Sequence, residues 1–347
     1  MSLIENTKRV LSIQSHVVSG YVGNKAAVFP LQLLGFEVDI INSVHFSNHT
    51  GYPNKWEGDV LDGTKLLKLI DGLGRNGLLS DDDESGSGRI DHMLTGYIGS
   101  ESFLRSIVTI VKKLRSLNPK TFRYVCDPVL GDAGKLYVPS ELVDIYREEV
   151  LPLSDVATPN QFEAEVLTGV SIASIDDAQR ACGVLHDMGV PLVLITSIIF
   201  QHGNEQITRV GSLTTHDRSP TIGMLASRRR RSNSGTEIVD QYILYAPLIA
   251  GQFTGTGDVC AALFLAWTAD LSDGDSNELN VALEKVGGTM HAIVKRTAEY
   301  AESLSSSSSN EAKRVFSREM QLIKSRDDII TPPRLFNAIK LAPSTAK

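Results

Sequence analysis

The sequence predicts an α/β fold with a central, mostly parallel sheet between two layers of helices. Three observations lead there. Short apolar runs rich in β-branched residues alternate with longer helical ones through the chain. Those strand-like runs are nearly continuous in apolar residues, as in a sheet covered on both faces. Polar motifs recur where such runs end, and the carboxyl ends of parallel strands are where ligands collect.

In order, RVLSI (9–13) reads as a strand, GNKAAVFPLQLLG (23–35) as a helix closed by Gly35, and FEVDIIN (36–42) as the next strand. Further strands are expected at FRYVCD (122–127), SDVATP (154–159), VPLVLITS (190–197) and QYILYAP (241–247). Helices are expected at ESFLRSIVTIVKKLRSL (101–117) and from Asn277 to Ser303. Three segments interrupt the pattern. LLSDDDESGSGR (78–89) reads as a solvated acidic loop, ASRRRRSNSG (226–235) as a mobile surface loop within a polar stretch at about 202–237, and the serines at 305–309 as a connector. Patterning resumes after each, so a single domain over 1–347 is expected, with loop insertions near 78–89 and 202–237 and the serine-rich connector at 303–310.

Composition narrows the function classes. The 347 residues are 42% hydrophobic and 22% charged, ordinary for a globular protein. A formal net charge of -7 argues against a general nucleic-acid or membrane-surface binder. No apolar run approaches the ~18 residues of a membrane span, and MSLIENTKRV lacks a signal-peptide core. Cys126, Cys182 and Cys260 form neither a zinc spacing nor a disulfide framework, so a cytoplasmic setting is expected.

GTGD (255–258) directly precedes an apolar helical run, which puts Asp258 in that helix's first turn. Glycines allow close approach of backbone to a ligand, and a helix start offers unpaired N–H groups suited to phosphate. Alone, Asp258 is better explained by complementing the helix dipole, which also predicts that it stays ionised at neutral pH. CDPVLGD (126–132) puts Asp127 at a strand end and Asp132 in the following loop, as turn formers or as oxygen ligands for Mg²⁺. In TPNQFEAEVLTG (158–169), Asn160 and Glu163 have capping-box spacing. The same helix start would let Asn160 donate to a phosphate and Glu163 serve metal-bound water. ITS (195–197) ends another strand with two hydroxyls. Together these motifs suit phosphoryl transfer, which rests on positioning, Mg²⁺ and charge stabilisation. The P-loop, protein-kinase and G-x-G-x-x-G signatures are all missing, although Gly20 and Gly23 follow the first strand.

Residues 11–52, ending in SNHTGY, followed in order by CDPVLGD, TPNQFEAE, ITS and GTGD, resemble the pyridoxal kinases of the ribokinase-like superfamily. The likeness runs from about residue 9 to MQLIKSRDDI (320–329). It implies a three-layer α/β/α homodimeric enzyme that phosphorylates the 5′-hydroxymethyl group of B6 vitamers with ATP and Mg²⁺. By motif, Asp258 would be the base, with Gly255, Thr256 and Gly257 as the anion hole. Ser15, Thr50 and Tyr97 would hold the pyridine ring beside Val44 and Phe46. Asp132 and Glu163 would organise Mg²⁺, while Asp127, Thr158, Thr196 and Gly255 would lie near a monovalent cation, K⁺ or Na⁺. Tyr137, Asn160, Ser197 and Ile249 would contact ATP, with Asp127, Glu163 and Thr196 close to it. The 131–139 loop looks shorter than in many relatives, and the arginine-rich 226–235 loop is expected as part of a flap over ATP. His16, His45 and His49 receive no role. A hydroxymethylpyrimidine kinase of the same superfamily and a B6-binding protein without catalysis are the alternatives.

Overall fold

A computed structural model describes residues 7–80, 89–200, 220–232, 235–271, 277–305 and 310–342. The chain opens with β1 (Arg9–Val17), α1 (Asn24–Leu33), β2 (Glu37–Phe46), β3 (Gly58–Val60) and α2 (Gly63–Arg75). Next come β4 (His92–Thr95), α3 (Glu101–Leu117), β5 (Arg123–Cys126), the hairpin strands β6 (Gly131–Asp132) and β7 (Lys135–Leu136), and α4 (Glu141–Ile145). They are followed by β8 (Val156–Ala157), α5 (Gln161–Thr168), α6 (Ile175–Asp187), β9 (Leu192–Phe200), β10 (Thr221–Arg231) and β11 (Glu237–Pro247). The last elements are α7 (Thr256–Thr268), α8 (Asn277–Ser305), α9 (Glu311–Ser317), α10 (Arg326–Ile330) and β12 (Ile339–Lys340).

The main sheet runs β12-β11-β10-β9-β8-β5-β4-β1-β2-β3. The six strands from β9 to β2 are parallel, and antiparallel partners flank them on both sides. This is the mostly parallel, three-layer arrangement the sequence predicts. Leu11 and Ile13 of β1 join a core with residues of α2 to α6, while Val10 joins a second core with residues of α1, α7 and α8. Both faces of β1 are therefore covered, which is why its apolar run does not alternate. Local chemistry sets the helix starts. Asp62, Ser100 and Ser174 accept amide hydrogens at α2, α3 and α6.

Chain order fixes where a ligand can sit. From β1 the chain moves outward to β2 and β3, then returns on the other side of β1 to β4, β5, β8 and β9. Between β1 and β4 the direction of winding reverses, and loops leaving their carboxyl ends diverge to open a crevice.

Six strands escape the sequence reading: the short β3, β6, β7 and β12, and, inside the main sheet, β4 and β10. β4 has only four residues, and His92 and Thr95 lie within it, so it carries no strand-like apolar run. β10 is the larger correction, because the arginine run belongs to a paired strand and not to a mobile loop. Arg228 pairs with Leu192 at the amino end of β9 and with Asp240 of β11. The arginines thus lie at the sheet edge opposite the crevice, so they form no flap over ATP. Their charges are met by distant carboxylates: Arg229 by Asp187 and Glu237, and Arg230 by the buried Asp240. Residues 81–88 of the acidic segment, 201–219 of the polar stretch and serines 306–309 lie outside the described residues. Asp240 also accepts from Lys340 of β12, so Arg230→Ser leaves a buried carboxylate with part of its pairing. We expect this variant to lose about 1–3 kcal/mol of stability by thermal or urea unfolding, with nucleotide affinity unchanged.

Candidate active site

Site construction begins at α7. Its amino-terminal cap, Gly255, is left-handed (φ 87°), and no side chain caps the helix. A Cβ at Gly255 would lie 2.1 Å from the Tyr21 carbonyl oxygen, so only glycine fits where the two loops cross. Asp258 falls in the first turn of α7, as expected. Its Oδ2 accepts the Gly23 amide hydrogen at 2.8 Å, and Gly23 in turn has φ 53° and stands against Ser15. Asp258 as a whole keeps partial solvent contact. Burial of its carboxyl pushes the pKa up to about 6, against the opposing effect of the Gly23 hydrogen bond. Desolvation raises the pKa where the dipole alone would lower it. Even so, a pKa near 6 leaves the group mostly ionised at neutral pH.

Asp127 lies beyond the end of β5 and is buried, with its Oδ2 3.8 Å from where a Cβ on Gly257 would stand. The Thr158 hydroxyl donates to its Oδ1 at 3.2 Å. Burial raises the Asp127 pKa well above the carboxylate range, and the charges of Glu163 and Asp258 add to that rise. Glu163 is also buried and raised, chiefly by burial, although backbone amides work against the shift. Its Oε2 accepts from Asn160 N–H at 2.9 Å, and its Oε1 from Leu130 at 3.0 Å and Gly131 at 3.4 Å. The capping box predicted from spacing is complete, and Glu163 also fastens the loop after β5. Asn160 donates to the Gly131 carbonyl at 2.8 Å.

Asp132 behaves differently from Asp127. It is exposed on the β6–β7 hairpin, whose tip has Ala133 (φ 49°) and Gly134 (φ 79°) both left-handed. Two such residues make the tight two-residue turn that shortens this loop. Tyr137 follows the hairpin with 57% of its side chain exposed. Thr196 donates its amide to the Pro159 carbonyl at 2.9 Å, joining the middle of β9 to the segment after β8; β9 runs on to Phe200, so ITS does not end the strand as expected. Ser197 and Ile249 are partly exposed. Gly255 faces Tyr21 and Met320. Among the described residues, no three His, Cys, Asp or Glu side chains converge closely enough to cage a metal ion.

The residues expected at the ring lie on β1, β2 and the loops that follow β2 and β4. A bulge at Ser43 of β2 brings Val44 opposite Ser15. The Ser43 hydroxyl donates to the Tyr97 carbonyl at 3.1 Å, which draws the loop after β4 toward β2. Val44 and Phe46 are buried in a small apolar cluster with Val17 and Val22, and Trp56 stacks on Phe46 at 3.8 Å between centroids. Thr50 is exposed at the tip of a turn. Sequence reasoning missed Gly23, Trp56 and the buried acid Glu319. The two glycines after β1 were a signal for Gly23, whereas nothing local marks Glu319.

With this geometry in place, known proteins give a consistent comparison. A phosphomethylpyrimidine kinase family model matches residues 87–236. Over 333 residues the chain is 45% identical to a pyridoxal kinase of Arabidopsis thaliana, covering 96% of this chain and 94% of that one. It is 40% identical over 342 residues to a pyridoxal kinase of Homo sapiens, with 97% and 100% covered. The structure of pyridoxal kinase from Leishmania donovani in complex with ADP and pyridoxamine matches with a TM-score of 0.79 at 34% identity, covering 96% of this chain and 100% of that one. Identity at this level over nearly the whole length, on the same fold, means that the chain belongs to the pyridoxal kinase family.

Proposed function

We propose that this chain transfers the γ-phosphoryl group of ATP to the 5′-hydroxymethyl group of pyridoxal, giving pyridoxal 5′-phosphate, with pyridoxine and pyridoxamine as further acceptors. The observation that carries the reading is the start of α7, where the carboxylate of Asp258 sits beside backbone amides that no side chain caps. Asp258 accepts the hydroxyl proton as that oxygen bonds to the γ-phosphorus and the bond to the β,γ-bridging oxygen breaks, releasing ADP. A base with a pKa near 6 is matched to this task at neutral pH. The amides of Gly255, Thr256 and Gly257 donate to the charge that develops on the phosphoryl oxygens.

Ser15, Thr50 and Tyr97 present hydroxyls to the ring nitrogen and phenolic oxygen, and the cluster of Val44 and Phe46 supplies apolar contact. On the nucleotide side the same reading assigns Tyr137, Asn160, Ser197 and Ile249, with Asp127, Glu163 and Thr196 nearby. Asp127 and Glu163 raise the cost of each other's ionisation, and a nearby cation would relieve it. Asp132 and Glu163 are the proposed holders of Mg²⁺ or its waters, and Asp127, Thr158, Thr196 and Gly255 of K⁺ or Na⁺. Mg²⁺ bound with ATP neutralises phosphate charge, and it commonly takes most of its ligands from phosphate and water. We also read the chain as one catalytic domain, a homodimer and cytoplasmic. In support of the last, no helix among the described residues is long and apolar enough to cross a membrane.

The phosphomethylpyrimidine kinase match favours a second reading, but it begins after the 11–52 block and ends before Gly255. ATP consumption with each ring compound, with and without Mg²⁺, separates them. We expect Mg²⁺-dependent turnover of pyridoxal. Turnover of hydroxymethylpyrimidine alone would overturn the assignment, and pyridoxal binding without turnover would indicate a carrier.

Two variants test the roles. Asp258→Asn keeps the size and removes the base, so turnover falls by roughly 10²–10⁴-fold with ATP affinity near wild type. Because the ionised form is the active one, wild-type kcat/KM holds above pH 6 and falls as pH drops below about 6. The variant loses that limb, and a variant retaining more than about a third of wild-type turnover contradicts the role. Glu163→Gln must turn an NH₂ group toward at least one of three backbone amides. It should lose about 1–3 kcal/mol of stability and need more Mg²⁺. Lost stability with an unchanged Mg²⁺ requirement would leave Glu163 a helix cap.

A further inference from the structure

Glu319, in the turn after α9, is a buried carboxylate that this mechanism does not use. Its Oε1 accepts from His49 Nε2 at 3.0 Å and from the Tyr52 hydroxyl at 3.0 Å, and its Oε2 accepts the Tyr21 amide hydrogen at 2.9 Å. Burial acts to raise its pKa, but these bonds outweigh burial and hold it below the usual value for Glu. The group is a buried anion supported by three donors.

The two oxygens serve different parts of the site. On the Oε1 side, His49 Nδ1 accepts the Gly51 amide hydrogen at 3.1 Å, which requires Nδ1 to be unprotonated and Nε2–H to donate to Glu319. Thr50 lies between the two residues that this ring clamps, and Tyr52 N–H closes the turn on the His49 carbonyl at 3.3 Å. The carboxylate thus selects the His49 tautomer that shapes the turn carrying Thr50. On the Oε2 side, Tyr21 is held so that its carbonyl meets Gly255, and two residues later Gly23 donates to Asp258. The neighbouring Met320 also packs against Gly255.

We propose that Glu319 is a positioning residue that sets the acceptor-ring turn at Thr50, through His49, relative to the phosphoryl-transfer start of α7. This rests on the functional reading above. Consider Glu319→Gln with its carbonyl oxygen kept on Tyr21 N–H. Its NH₂ then faces His49, whose Nε2 must become the acceptor, so Nδ1–H meets Gly51 N–H head-on and the turn opens. The ring site is therefore damaged more than the nucleotide site.

The test is steady-state kinetics of the full chain, varying pyridoxal and ATP separately, for wild type, Glu319→Gln, His49→Ala and the double variant. Loss of a hydrogen bond to a charged group predicts a rise in KM for pyridoxal of roughly 10-fold or more in Glu319→Gln, with KM for ATP within about twofold. The double variant should be little worse than the worse single one, because both act through one turn. Tyr52→Phe removes one of the three donors with little risk to folding, and should raise KM for pyridoxal selectively by a smaller factor. If Glu319→Gln does not fold, Tyr52→Phe decides alone. Equal effects on both substrates, additive effects of Glu319→Gln and His49→Ala, or lost thermal stability with unchanged KM values would each overturn the proposal. Wild-type turnover of pyridoxal is the control. Its absence would count against the functional reading, whereas its presence without the selective KM effect counts against Glu319 alone.

Discussion

The 2.8 Å hydrogen bond from the Gly23 amide to the Asp258 carboxylate joins the two halves of the site. One partner follows β1, beside Ser15 and the acceptor-ring residues. The other opens α7, where phosphate would meet backbone amides. The groups are 235 residues apart in sequence, and only a sheet that winds outward from β1 and back to β4 brings their loops together. Two backbone approaches near 2 Å from a hypothetical Cβ, at Gly23 and at Gly255, leave no room for a side chain where the loops cross. The helix start, Asp258 and the residues around Ser15 therefore depend on one crossing of backbone.

Electrostatics gives the site its second constraint. Asp127, Glu163 and Asp258 are all raised by burial, and Asp127 also feels the other two charges. Three acids in such surroundings cost folding free energy, and their backbone and hydroxyl donors offset only part of it. Asp258 differs from the other two in that the residue keeps partial solvent contact.

Much of this was legible in the sequence because it is local. GTGD announces a helix start, TPNQFE a capping box, and the apolar runs of β1, β2, β5, β8, β9 and β11 announce strands. The misreadings have two physical origins, which are compensation by carboxylates on other elements and strands too short to show a period. Arg229 and Arg230 look solvated until Asp187, Glu237 and Asp240 are found beside them. His92 and Thr95 disguise β4, a strand too short to show a period. Asp258 reads as a dipole-stabilised carboxylate until its burial is known. Glu319 has no local signature, since its donors are 267 to 298 residues away.

The most direct test of the account is a distance. A crystal structure with pyridoxal and a non-hydrolysable ATP analogue would locate the 5′-hydroxyl oxygen relative to Asp258. The account predicts that oxygen within about 2.6–3.2 Å of the carboxylate, with the Gly23 hydrogen bond intact and the γ-phosphoryl group over the amides of Gly255 to Gly257. A 5′-hydroxyl turned away from Asp258, or a γ-phosphoryl group remote from the start of α7, would contradict it.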